Sequence, residues 1–220
     1  DLPPDDRLAY YARRLRTVEI NNTFYQLPSE QTLAHWRDCV SAEFRFAAKA
    51  SRYITHMKKL KDPQDTVPNF MRRVERLGER LGPILFQLPP KWHVNVERLS
   101  AFLAALPSGY RYAFEFRDPS WWTESVTDLL AEHRAAFCQF DLEGQTSPGW
   151  STTDFVYLRW HGSDGRYRGR YANDVLDDWA ERIRQWTEAG RDVHGYFDND
   201  AEAAAPADAA ELLRRLGSRP

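Results

Sequence analysis

The chain is poor in the residues on which several function classes depend. Of its 220 residues, two are cysteine and two are methionine. Cys39 and Cys138 lack metal-ligand spacing and sit among apolar neighbours, so two reduced, buried thiols are expected rather than a disulfide. No run approaches about 18 apolar residues, and the opening DLPPDDRLAYY has no apolar signal region. A soluble cytoplasmic protein is the expectation, with no membrane partner. Charge of one sign is also lacking: 30 Lys and Arg stand against 32 Asp and Glu, a formal net charge of −2. Nothing global drives the chain onto nucleic acid, so any such contact needs a local basic patch. No Gly-rich phosphate fingerprint follows a strand-like run, which removes the main support for a dinucleotide fold. No G-x-S-x-G occurs, and neither cysteine has an evident histidine partner, so nucleophile motifs are weak.

What is present is an ordinary globular balance, 42% hydrophobic and 28% charged, in a length that suits one domain over residues 1–220. Seven strand-like runs recur: TVEINNTFY (17–25), FRFAAKA (44–50), GPILFQLP (82–89), YAFEFR (112–117), AAFCQFD (135–141), DFVYLRWHG (154–162) and DVHGYFDND (192–200). Helical stripes lie between them. Phe70, Val74, Leu77 and Leu81 predict a helix stopped by Gly82-Pro83, and Leu99, Phe102, Leu103 and Leu106 another stopped at Pro107. A third follows Ser120 through Val126, Leu129 and Leu130. Leu176, Trp179, Ile183 and Trp186 form the longest, capped by Asn173 and stopped at Gly190, and Pro206 suits the first turn of a final helix.

Strands alternating with helices imply a parallel sheet, open or closed. Strands of an open, doubly covered sheet read as continuous apolar runs, whereas here one parity of each run is polar. That favours an α/β fold of the TIM-like (β/α) barrel type. Its lumen would receive Glu19 and Asn21, Lys49, Gln87, Glu115 and Arg117, Asp141, Arg159 and His161, and Asp198, with the charges toward the carboxyl ends of the strands.

VEINNTFYQLP, FRFAAKASRYITH, LGPILFQLPP, YAFEFRDPSWW, TTDFVYLRWHG and GRDVHGYFDND, in this order, resemble the successive motifs of the domain-of-unknown-function family 72, also called YecE-like. The resemblance covers nearly the whole chain and implies a TIM-like barrel without a settled activity. It also implies a preceding strand with a Gly-x-Ser-Gly-Trp-like motif, whereas this sequence opens at the first helix. The last motif in such proteins reads closer to YFNND; Asp198 here adds an acid beside Asn199.

Two readings of the polar ring are open. In one, Glu115 with Glu19 or Asp141 does acid–base work beside Lys49, while Arg117, Arg159 and His161 clamp an anion. In the other, the charges form an internal ion-pair lattice. Arg52 and His56 of SRYITHMKKLK would top the pocket, while Lys58, Lys59 and Lys61 read as a solvated face. HGSDGRYRGRYAN (161–173) is an Arg/Tyr-rich loop whose Tyr167 could stack on a base or sugar. Asp198, Asn199 and Trp121 complete the expected binding set, Trp121 as a stacking wall and Trp122 as a rim plug. His56, His161, Glu115, Asp141 and Asp198 could hold a divalent metal, but Lys49, Arg117 and Arg159 crowd the same space, so no metal site or cofactor is expected, and a divalent ion is only a minor alternative. The functional expectation is a hydrolase or lyase acting on a small anionic substrate, phosphorylated or nucleic-acid-derived. The alternative is a non-catalytic protein that holds such a ligand or touches nucleic acid through its basic loops. Composition does not fix the oligomeric state.

Overall fold

The computed structural model describes residues 2–217, which divide after Ala135 into two compact units. The first contains α1 (Pro4–Ala12), β1 (Thr17–Ile20), α2 (Asn22–Tyr25), α3 (Glu30–Asp38), β2 (Arg45–Lys49), a π-helical turn (Tyr53–Met57) and α4 (Pro63–Val74). It continues with a 3-10 segment (Glu75–Arg80), β3 (Leu81–Leu88), α5 (Val96–Ala104), β4 (Tyr112–Phe116), a 3-10 turn (Pro119–Trp121) and α6 (Glu124–Glu132). Its four long runs of alternating residues form parallel strands in the order β1-β2-β3-β4.

Paired residues of parallel neighbours point the same way, so the register separates two faces. Ile20, Phe46, Phe86 and Phe114 lie on the helix side. Ile20, Phe44 and Phe46 pack with Leu33 and Leu77, and Phe86 and Phe114 meet Phe102 of α5 at 5.0 and 6.2 Å. Burying each such ring stabilises the unit by about 1.5–3 kcal/mol. The opposite face is layered. Ala47, Leu85 and Ala113 fill its amino-terminal part, and Glu19, Lys49, Gln87 and Glu115 stand on it, with Gln87 paired to Glu115 in register.

Several boundaries differ from the sequence expectation. The first strand ends at Ile20, and Asn21 caps a short helix instead of continuing the run, because the chain turns where the Thr23 hydroxyl lies 2.7 Å from Ile20 O and 2.6 Å from Lys49 O. The stripe through Leu81 is not one helix. α4 stops at Val74, Gly78 takes φ +54°, and Leu81-Gly82-Pro83 opens β3. Phe46 pairs with Leu81 but Ala48 with Ile84, so β3 carries one extra residue there, a bulge that accommodates a proline. Asp118, not Ser120, caps the turn after β4: its Oδ1 accepts from Ser120 N at 3.0 Å, and α6 starts at Glu124. Asn173 lies inside the helix it was expected to cap.

The second unit contains β5 (Ala136–Leu142), β6 (Gln145–Thr146), β7 (Phe155–Trp160), α7 (Asn173–Glu188), β8 (Asp192–Phe197), a 3-10 turn (Ala201–Ala203) and α8 (Ala204–Arg215). β5, β7 and β8 are parallel, and β6 returns antiparallel to β5 through Glu143-Gly144, both at positive φ, as a two-residue hairpin turn requires. Leu158 and Trp160 pack with Leu176, Trp179 and Ile183 of α7 and Leu212 of α8. β5 reverses the expected parity. Phe140 pairs with Arg159 and Asp141 with Trp160, so Gln139 and Asp141 lie on the helix face. Gln139 confirms this by accepting from Arg182 of α7 at 2.9 Å. Among the described residues, no helix is long and apolar enough to cross a membrane.

Candidate functional site

The carboxyl ends of β1–β4 hold the denser polar cluster. Glu115, near the end of β4, is wholly buried. Its Oε1 accepts from Arg117 Nε and from Gln87 Nε2, the latter at 2.9 Å. Strand alternation explains the grouping, because Glu115 and Arg117 share a parity and Gln87 is the register partner of Glu115. Lys49 ends β2, is buried, and lies with its Nζ 4.6 Å from the centre of the Phe24 ring. That ring also meets His56 edge-on at 5.0 Å.

His56 sits in the π-helical turn that follows β2, with Arg52 exposed at the start of the turn. Such turns concentrate at functional sites. Lys59, Leu60 and Asp62 just beyond it all take positive φ, an unusual run for non-glycine residues. The His56 Nδ1 lies 2.9 Å from the hydroxyl of buried Thr55. Burial, then the charges of Lys49, Arg52 and Arg117, push the imidazole down to about 4, against a smaller opposing effect of Glu115. His56 is therefore neutral near pH 7, inside a positive field. Lys58 is paired with Asp62 at 3.1 Å, as expected of a solvated face.

The second unit has its own constellation at the ends of β7 and β8. Asp198 Oδ2 accepts from Arg159 Nη2 at 3.0 Å and lies 3.1 Å from His161 Nδ1, while His161 Nε2 lies 3.3 Å from Arg159 Nη1. A guanidinium only donates, so Nε2 accepts and Nδ1–H donates to Asp198. This neutral imidazole is a spacer that orients Arg159 rather than a cationic clamp. Asp141, expected as a second catalytic carboxylate, is on the other face. Its Oδ1 accepts from His161 N–H at 3.1 Å and from Tyr171 O–H at 2.5 Å, and burial raises its pKa against those two bonds. It anchors a strand end. The run AAFCQFD is apolar except at Gln139 and Asp141, and those two polar residues face the helices, so polarity points to the wrong face.

Tyr167 is exposed at φ +63°, with its ring 5.7 Å from His161. Asn199 is buried and donates to Gly169 O and Asp208 Oδ2, both at 2.8 Å. Sequence reading missed Asp208, Tyr171 and Thr55. Asp208 had a signal: it is an acid on the apolar stripe Ala205, Asp208, Leu212 of α8. Trp121 is not a stacking wall. It is wholly buried, stacked on Phe116 at 5.1 Å, with its Nε1 donating to Trp92 O; Trp122 is only half-buried. Cys39 does have a histidine neighbour, with Sγ 3.5 Å from His35 Nε2, and it is half-buried rather than buried. Among the described residues, no group of three or more His, Cys, Asp or Glu side chains has metal-holding geometry.

Gly162, directly after His161, has φ +107°, and a Cβ there would meet Arg168 O at 2.1 Å. Gly162→Ala is expected to lower stability by about 1–3 kcal/mol and to displace the 162–170 loop, read as a lower melting temperature and shifted Tyr167 resonances.

Parallel strand–helix units with polar strand ends define a TIM-like (β/α) barrel protein. The family described as "Protein of unknown function DUF72" matches residues 1–220, and the chain belongs to it. A DUF72 family structure from Thermotoga maritima is 29% identical and superposes with a TM-score of 0.86 over 99% of this chain and 91% of that one. One from Enterococcus faecalis gives a TM-score of 0.85 at 19% identity, over 97% and 89% of the two chains. The UPF0759 protein YecE of Escherichia coli K12 is 33% identical over 53% of this chain, a match that spans only 43% of that relative's length. The UPF0759 protein YunF of Bacillus subtilis 168 is 21% identical over 96% of this chain and 86% of its own length.

Proposed function

We propose that the carboxyl ends of β1–β4 form an anion-binding catalytic site, and that the protein is a hydrolase or lyase acting on a small phosphorylated or nucleic-acid-derived substrate. The observation that supports this is the concentration of Lys49, Arg52 and Arg117 around a neutral His56. Cations gathered where barrel enzymes bind substrate are suited to an oxyanion. Lys49 and Arg52 hold the anion in this reading. Glu115 transfers the proton, oriented by Arg117 and Gln87, with Glu19 as the second carboxylate on that face. Asp141 has no part in it.

A second reading, a non-catalytic anion binder, draws on the burial of Glu115 and on the two donors that address its Oε1. A carboxylate so held can serve purely as a counter-ion. Wild type and Glu115→Gln are to be compared over a panel of phosphoesters, sugar phosphates and oligonucleotides, with sulfate binding measured by calorimetry. The catalytic reading expects wild-type turnover that falls about 10²–10⁴-fold in the variant while sulfate binding persists. Sulfate binding without turnover in wild type selects the second reading. No anion binding by either protein removes both.

A further inference from the structure

The segment after β2 is firmly anchored, yet it holds large apolar side chains in water. Ile54, Thr55 and Leu60 are buried and fix it from below. Leu60 N–H donates to Ile54 O at 3.0 Å, and Arg98 of α5 donates to Lys59 O at 3.3 Å. Lys59 and Leu60 take positive φ although neither is glycine. Backbone of that kind persists only where its surroundings fix it, and it clusters at binding sites. From this fixed turn Tyr53 and Met57 project 45% and 65% exposed. Tyr25 at the end of α2 is 72% exposed. Its ring meets Phe24, which in turn meets His56 of the π-helical turn, each pair at 5.0 Å. Scattered singly, such groups need no explanation; gathered on one anchored turn and its neighbour, they mark a binding surface.

Cations are interleaved with these rings. Arg52 precedes Tyr53, Lys58 Nζ lies 5.9 Å from the centre of the Tyr53 ring, and Lys59 Nζ lies 6.0 Å from that of half-buried Trp92. Asp62 pairs with Lys58, and Asp65 of α4 acts on the same lysine. Arg52, Lys59 and Lys61 are exposed and form no ion pair among the described residues. We propose that this surface binds single-stranded nucleic acid, with bases stacking on Tyr25 and Tyr53 and phosphates meeting Arg52, Lys59 and Lys61. A single strand offers flat bases and charged phosphates together, and rings set beside uncompensated cations match both. A duplex keeps its base faces inside the stack, so it would meet the cations alone. Stable attachment to an anionic bilayer takes a broad apolar face or a cluster of about four to eight cations, more than this surface carries. Binding here needs neither Glu115 nor turnover, so it stands apart from the catalytic reading.

Fluorescence anisotropy with an end-labelled oligothymidine of about twelve nucleotides reads the binding. Wild type should bind it, with an affinity that falls as salt rises from about 50 to 200 mM. Three phosphate contacts at about 0.7 each give a slope of log K against log salt of about −2. Tyr53→Ala should weaken binding about 5- to 150-fold and leave that slope in place. The double variant Lys59→Gln/Lys61→Gln should reduce the slope to about −0.7, the value for the one contact that remains. All three substituted side chains are exposed, so melting temperatures should stay at the wild-type value. Ultraviolet cross-linking of the wild-type complex provides a readout without a variant: thymine should attach to the peptides that carry Tyr25 and Tyr53. Absence of binding at about 50 mM salt, or a duplex of the same length bound equally well or better, overturns the inference. So do cross-links confined to other peptides, and binding that both variants leave unchanged. Vesicles of phosphatidylglycerol and phosphatidylcholine that bind wild type when the oligonucleotide does not would assign the surface to lipid instead. Turnover enters none of these measurements, so the proposed function can fail while this surface stands, and the reverse.

Discussion

Arg117→Met should lower the free energy of unfolding by about 3–5 kcal/mol, read from the urea midpoint. The side chains of Arg117 and Glu115 are 7% and 0% exposed, and they share the parity of β4 that faces away from its helices. Burying a carboxylate is tolerable only with charged and hydrogen-bonding partners close by. Methionine keeps most of the volume and removes the guanidinium that addresses Oε1, leaving Gln87 on the same oxygen. Most of the loss comes from the reduced compensation of the buried carboxylate rather than from the bond itself, so the double variant Glu115→Gln/Arg117→Met should be far less damaged than the sum of the singles. A coupling of about 1–3 kcal/mol is expected, and strictly additive losses would show that the pair is not interacting. The comparison also bears on mechanism. A Glu115→Gln variant that is markedly more stable than wild type marks a carboxylate kept at the expense of stability, as functional groups often are.

The two units differ in how well their sequences could be read. In the first, VEI, FRFAAKA and YAFEF alternate a bulky apolar parity with a small or polar one, so the faces follow directly from side-chain period. Glu19, Lys49, Gln87 and Glu115 emerge where alternation predicts. In AAFCQFD the residues are apolar except at Gln139 and Asp141, and their polarity alone points to the inward face. Both polar side chains instead satisfy partners on the helix side, Arg182 and Tyr171, which lie 43 and 30 residues away in sequence. No local pattern carries such pairing. The π-helical turn was equally hidden, because its residues have no periodic signature and its positive-φ exit through Lys59, Leu60 and Asp62 uses residues that ordinarily avoid that region. Trp121 and Trp122 illustrate a finer limit: adjacent aromatics at a strand end are interchangeable in sequence, and only packing against Phe116 and Trp92 decides which is buried.

Asp208→Ala should lower stability by about 3–5 kcal/mol, with the damage centred on the 161–173 loop. The carboxylate is fully buried in α8 and accepts from Arg170 Nε at 2.5 Å, from Tyr171 N–H at 3.2 Å and from Asn199 Nδ2 at 2.8 Å. Alanine strands the buried Tyr171 amide and takes from the Asn199 side chain one of its two acceptors, the other being Gly169 O, which is where most of the cost arises. The ion pair contributes less, because the Arg170 side chain is 55% exposed and screened by water. Arg170→Ala is therefore expected to cost under about 1 kcal/mol, a contrast that separates a buried hydrogen-bond hub from a salt bridge. Hydrogen exchange supplies the spatial test: amides of residues 161–173 should open with a lower free energy in Asp208→Ala, while the β7 amides keep most of their protection. Loss spread evenly over the second unit would instead make Asp208 a general core residue. The distinction matters for the strand ends, because Tyr171 also donates to Asp141 and Tyr167 N–H to His161 O. Releasing the loop should loosen His161, and with it the geometry of Arg159 and Asp198, without a change in any of those three residues.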